Sequence, residues 1–128
     1  MPKAWLAKFS WEAVTAINAQ LCETKGALHK PTSDGHDEAR VLWEANHSNV
    51  MSWEDAVLLC RKCHKTAPFC FFNGNTFAAI SKIALKSEER LSVMDQHFLE
   101  AISAHIVAGT ETPEEAQQFR ALLQKVDG

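Results

Sequence analysis

Residues 68–80, "PFCFFNGNTFAAI", decide the fold class, because this is the one stretch where strand and helix compete. Asn73-Gly74 between two apolar runs is the signal of a tight hairpin turn. Phe77, Ile80 and Ala84, however, recur at spacings of three and four, the stripe of a helix burying one side, with Asn75 or Thr76 as its cap. The helical reading is preferred because this period continues past the turn signal. Phe69–Phe72 then becomes a buried connector, and a hairpin across 69–80 is the alternative.

Upstream, Pro68 stops a helix that starts at Ser52 and runs to about Ala67. Its start, Met51-Ser52-Trp53-Glu54-Asp55, places a hydroxyl cap before an apolar stripe, with Met51 positioned as a hydrophobic staple. Phe9-Ser10-Trp11-Glu12 repeats that grammar before Val14, Ile17 and Leu21, with Gly26 as a stop, so a helix is expected near 10–25. "SWEAV" and "SWEDAV" lie 42 residues apart, and shared capping chemistry accounts for the likeness better than a repeat. Between these helices a polar loop containing Pro31 and Asp34-Gly35 leads into a helix over 36–47, with Ala39, Leu42, Trp43 and Asn46 on one side.

Downstream, Ser87 is expected to cap a long helix through Leu91, Met94, Phe98, Ile102 and Ile106, ended by Gly109. Thr112-Pro113-Glu114-Glu115 is a capping box with proline at the first helical position, opening a last helix through Ala116, Phe119, Leu123 and Val126. Six helices and no firm strand define an all-α bundle, a single domain over 1–128, with mostly antiparallel neighbours.

Composition agrees. A chain of 128 residues buries roughly two-thirds of the surface its unfolded form exposes. With 46% apolar and 23% charged residues it lies far from the disordered regime. Thirteen Lys and Arg against sixteen Asp and Glu give a net charge of −3, and the basic residues are scattered, which argues against nucleic acid as a partner. No apolar run is long enough for a signal peptide or a membrane span, so a cytoplasmic protein without membrane contact is expected. In that reducing compartment Cys22, Cys60, Cys63 and Cys70 are thiols or metal ligands.

The densest chemistry is "CRKCH", residues 60–64. On a helix, Cys63 lies about 60° to one side of Cys60 and His64 about 40° to the other, so the three share a face. Trp53, Ala56, Val57, Cys60, His64 and Ala67 also form one continuous stripe, which claims the cysteines for the core as small hydrophobes. As a metal centre, Cys60, Cys63 and His64 would supply two or three of the four ligands zinc needs, with Cys22, His47, Cys70, His97 or His105 completing the set. The five residues are similar to the haem attachment pattern of c-type cytochromes, which implies both thiols bonded to the porphyrin and His64 on the iron. "LLCRKCHK" also resembles the second cysteine pair of a zinc-stabilised HNH nuclease module. The upstream pair and the catalytic His-Asn context are missing, so nothing carries over. A redox dithiol is disfavoured, since Cys60 lies two turns beyond the helix start and its cationic neighbours point away.

Lesser candidates are Glu44 with His47, half of a di-iron pattern; Asp34, His36, Asp37 and Glu38 around a cation; His97 and His105 lining a pocket; and Asn73–Thr76 as an anion-binding helix start. No phosphate loop, nucleophile elbow, Walker or zincin motif is present, and no catalytic residues are assigned. The leading expectation is a small cytoplasmic helical binding or regulatory module that recognises a protein or a small apolar ligand without a cofactor. Trp5 and Trp11, at the aromatic N-terminal end, are expected to contact the partner or a second copy in a homo-oligomer. The alternative is a metal or haem protein, holding zinc or haem through Cys60, Cys63 and His64.

Overall fold

Local start and stop signals account for most of the architecture. The computed structural model describes residues 2–128, which form six helices: α1 (Trp11–Lys25), α2 (Gly35–Asn46), α3 (Trp53–Lys65), α4 (Asn73–Leu85), α5 (Val93–Ala108) and α6 (Pro113–Val126). Ser10, Ser52 and Thr112 cap α1, α3 and α6 through the backbone N–H groups of Ala13, Asp55 and Glu115, and Thr112 and Glu115 complete a capping box. No strand occurs among the described residues. Two isolated antiparallel pairings tie loops together, Lys3 with Met51 and Pro31 with Phe69.

The contested stretch is a connector followed by a helix. Of the expected buried run Phe69–Phe72 only Phe69 is buried, since Cys70 and Phe71 face solvent where the chain turns into α4. Neither Asn75 nor Thr76 caps α4. The residue before it, Phe72, takes a left-handed conformation (φ 62°), and Asn73 folds back so that its amide accepts from the Phe69 N–H at 2.9 Å and donates to the Phe69 carbonyl at 2.7 Å. That clamp closes the turn which the hairpin reading had given to Asn73-Gly74. α3 ends at Lys65 because Ala67, also left-handed (φ 50°), turns the chain ahead of Pro68.

α5 departs from expectation in two ways. Its cap is Ser92, whose hydroxyl accepts from the Asp95 N–H, while the Ser87 hydroxyl donates back to Ala84 and finishes α4. The intervening turn is pinned by the buried carboxylate of Glu88, which Arg90 grips through its backbone N–H, Nε and Nη2 at 2.7–2.8 Å, with Lys3 at 3.8 Å. Arg90's side-chain hydrogen bonds hold the Glu88 carboxyl down at about 2. The buried stripe of α5 is Leu99, Ile102, Ser103, Ile106 and Val107, so Met94 and Phe98, expected inside, face outward. α5 is apolar on most of its circumference, and packing against α3, α4 and α6 chooses which stripe is covered.

The core is centred on α3, which contacts α2, α4, α5 and α6. Trp43, Trp53, Phe69 and Phe77 are fully buried there. Trp5 and Trp11 belong to the same core, 4% and 7% exposed, which overturns the expectation that this end of the chain presents an aromatic surface. The reciprocal backbone bonds of Lys3 with Met51, both 3.0 Å, fold the N-terminal segment over α3, where Trp5 packs edge-on against Trp53 at 4.8 Å. Trp11 stacks on Phe69 at 5.9 Å and its indole N–H donates to His36 Nε2 at 3.3 Å. Large rings of this kind contribute more by burial than any other side chain, and the fold takes them first. No helix among the described residues is long and apolar enough to cross a membrane.

Candidate functional site

The cysteine–histidine cluster is drawn into the core. Cys60 and Cys63 are 1% and 0% exposed, and the Cys63 thiol points at the Ala39 carbonyl of α2, 3.8 Å away. Burial pushes the Cys63 thiol up to about 12, and burial followed by repulsion from Cys63 pushes Cys60 higher still. Both are therefore neutral thiols, unsuited to nucleophilic or redox work at physiological pH. His64 stands at the rim of the core, its Nδ1 donating to the Val107 carbonyl at 2.9 Å, while its other face packs against Gly74 at the start of α4. The imidazole thereby fastens α3 to the ends of α4 and α5.

The further ligands that a metal would require are dispersed. Cys22 donates to Asn18, His47 bonds the Leu6 carbonyl and lies on Trp43, His97 stands beside Glu100 on the surface, and His105 pairs with Glu115. Cys70 is exposed on the connector. Among the described residues no group of three or more His, Cys, Asp or Glu is placed to hold a metal ion. Glu44 engages Arg40 rather than His47. His36 packs edge-on against Trp11 and Phe69 while its Nδ1 stays 3.6 Å from Asp37.

A mild response to substitution follows from this packing. Cys60→Ala is expected to cost on the order of 1 kcal/mol, for one lost sulfur and a small cavity, and Cys60→Val should be close to neutral. Urea denaturation of the three proteins measures both. Loss of the fold on either change would mark Cys60 as a ligand whose binding energy is folding energy.

Two features escaped the sequence reading. One is a buried polar hub on Asn18, which is fully buried between His29, Cys22, Thr76 and the Phe71 carbonyl. An asparagine in a helical stripe carries no sequence signal that distinguishes it from a surface residue. The other is where apolar surface is left uncovered. Val41 (61% exposed), Val50 (69%) and Leu58 (41%) gather where α2 and α3 meet, and Met94 (68%) and Phe98 (53%) lie one turn apart on α5, near Val93.

Along the α2–α3 face run two adjoining shallow hollows that share Leu42. One, of about 330 Å³, is lined by Val50, Met51, Leu58 and Leu59 among others; the other, of about 570 Å³, by Val41 and Ala45 beside Asp37 and Glu38. A smaller hollow of about 240 Å³ opens beside Phe98, against Gln118, Ala121 and Leu122 of α6. All three are open to solvent rather than enclosed. In comparison with known proteins, the chain matches no family model, no curated protein and no solved structure.

Proposed function

We propose that this chain is a helical docking module for another protein, and that its recognition surface is the apolar area left on α2–α3 and on α5. The observation that carries the reading is the grouping of exposed large apolar side chains. Val41 on α2, Val50 in the connection and Leu58 on α3 form one cluster, and Val93, Met94 and Phe98 on α5 another. Scattered apolar residues are ordinary on a protein surface, whereas contiguous patches mark interaction sites. Burying such area contributes roughly 25 cal/mol per Å², which offsets part of the cost of association.

Shape favours a protein over a small apolar ligand. Sites for small molecules enclose most of the ligand surface, and these hollows are shallow and open. The neutral, core-packed thiols give the metal or haem reading no comparable support.

Site-specific photo-crosslinking tests the module reading. A benzophenone side chain placed at Leu58, at Phe98 or, as a control, at the exposed Gln20 on α1 is activated in extracts of the source cell. A discrete adduct from position 58 or 98 and none from 20 is expected. Equal labelling at all three positions, or none anywhere, would overturn the reading.

A further inference from the structure

The α2–α3 groove has a charge pattern that specifies its occupant. The residues lining the two hollows carry three carboxylates, Asp37, Glu38 and Asp55, against one cation. Negative charge therefore prevails along the groove itself, although Arg61, Lys62 and Lys65 close α3. α2 and α3 run antiparallel, since Gly35 abuts Thr66 and Ala67 and the Cys63 thiol meets the Ala39 carbonyl. Each helix carries its acidic pair in its first turn, Asp37 and Glu38 on α2, Glu54 and Asp55 on α3. Antiparallel packing places Asp37 and Glu38 at one end of the groove and Asp55 at the other, with Val41, Leu42, Ala45 and Leu58 between them, while Glu54 lines a separate hollow beside Arg120.

Asp37 is engaged by Arg40 and His36, but among the described residues neither Glu38 nor Asp55 has an ion-pair partner. Lys62 is the cation among the lining residues, on the α3 wall. α2, 12 residues and so about 18 Å long, matches a partner helix of three to four turns.

We propose that this groove docks an amphipathic helix of a partner protein, with its apolar stripe between α2 and α3 and with lysine or arginine near both of its ends. The inference rests on the docking-module reading and narrows it to one face and one partner chemistry. Apolar contact with Val41, Leu42 and Leu58 supplies the affinity, and the two acidic ends fix the position and speed the encounter, as in other helix-in-groove recognition.

The probe is a designed peptide of about four turns, with leucines at i, i+3, i+4 and i+7 and lysines towards both ends, compared with its twin in which every lysine is glutamate. Fluorescence anisotropy on the full chain should give a dissociation constant in the tens of micromolar for the lysine peptide, at least about tenfold weaker binding for the glutamate twin, and weakening as salt rises. Glu38→Gln with Asp55→Asn, which leaves the apolar walls and the caps in place, should weaken it about fivefold, and Leu58→Asp about tenfold. Amide shift changes on titration should cluster on α2 and α3. Equal affinity for both peptides, indifference to all these substitutions, shifts centred on α5 and α6, or a dimer of this chain that already covers the groove would each overturn the proposal. A discrete crosslink from Phe98 alongside any of those results would leave the docking-module reading standing.

Discussion

Replacing Gly35 with alanine is expected to destabilise the protein by about 3 kcal/mol or more, although the same change at an exposed helical position would stabilise it by up to about 1 kcal/mol. Gly35 is buried at the first position of α2, and its Cα faces the end of α3. An added Cβ would overlap the Thr66 carbonyl oxygen and lie 2.6 Å from that of Ala67. Both obstacles are backbone, so no rotamer change relieves them. The α3 end cannot retreat cheaply either, because Ala67 accepts from the Thr32 hydroxyl at 2.7 Å and the adjoining loops are joined by Thr32 N–H to Pro68 and Cys70 N–H to Lys30. Gly74→Ala is the internal control, since its Cβ would meet the His64 ring at 3.4 Å or beyond and should change stability far less. Urea midpoints of the three proteins decide the matter, and a Gly35→Ala protein as stable as wild type would refute this account of the α2–α3 junction. Because Gly35 sets how closely α2 lies to α3, any Gly35→Ala protein that still folds should also bind the lysine peptide more weakly.

Elements with a strong local cause were legible in the sequence. Ser10, Ser52 and Thr112 mark helix starts through hydrogen bonds that involve no residue more than three positions away, and all three helices begin where those residues place them. The boundaries that went wrong have non-local causes. Ser87 and Ser92 are equally good caps in isolation, and what selects Ser92 is Glu88, drawn inside by Arg90 and Lys3. Trp5 looks like an exposed aromatic until the pairing of Lys3 with Met51 carries it onto Trp53. The side of α5 that faces the core could not be read because both candidate stripes are apolar, and that same ambiguity leaves Met94 and Phe98 for the surface. The chemistry of "CRKCH" was likewise undetermined by spacing alone. Its helical face was inferred correctly, but whether a shared face holds a metal or fills a core depends on residues arriving from α2, α4 and α5.

Asn18→Leu should cost about 2–4 kcal/mol even though the two side chains have similar volumes, because it removes at once the partners of the buried Thr76 hydroxyl and Cys22 thiol and of two part-buried groups. The Asn18 amide donates to the Phe71 carbonyl at 2.8 Å and to the Thr76 hydroxyl at 3.0 Å, while its oxygen accepts from His29 Nδ1 at 2.8 Å and from the Cys22 thiol at 3.6 Å. Leucine leaves the part-buried Phe71 carbonyl and His29 N–H without those bonds, at about 1 kcal/mol each. The hub also bears on backbone strain. Phe72, a bulky residue in the left-handed region, is disfavoured by about 1–2 kcal/mol. It is held there by the bond from Asn18 to Phe71 on one side and by the Thr76 hydroxyl, which donates to the Phe72 carbonyl at 2.8 Å, on the other. Thr76→Val removes the second restraint alone and should cost about 1–2 kcal/mol, and the double variant should cost less than the sum, because the two side chains bond each other. Hydrogen exchange locates the effect. In Asn18→Leu the amides of residues 69–76 should lose protection well before those of α3 and α5, since the connector is released while the α3-centred core still holds. Uniform loss of protection along the chain, or a cost below about 1 kcal/mol, would show that Asn18 fills space rather than organising the turn that made this stretch a helix instead of a hairpin.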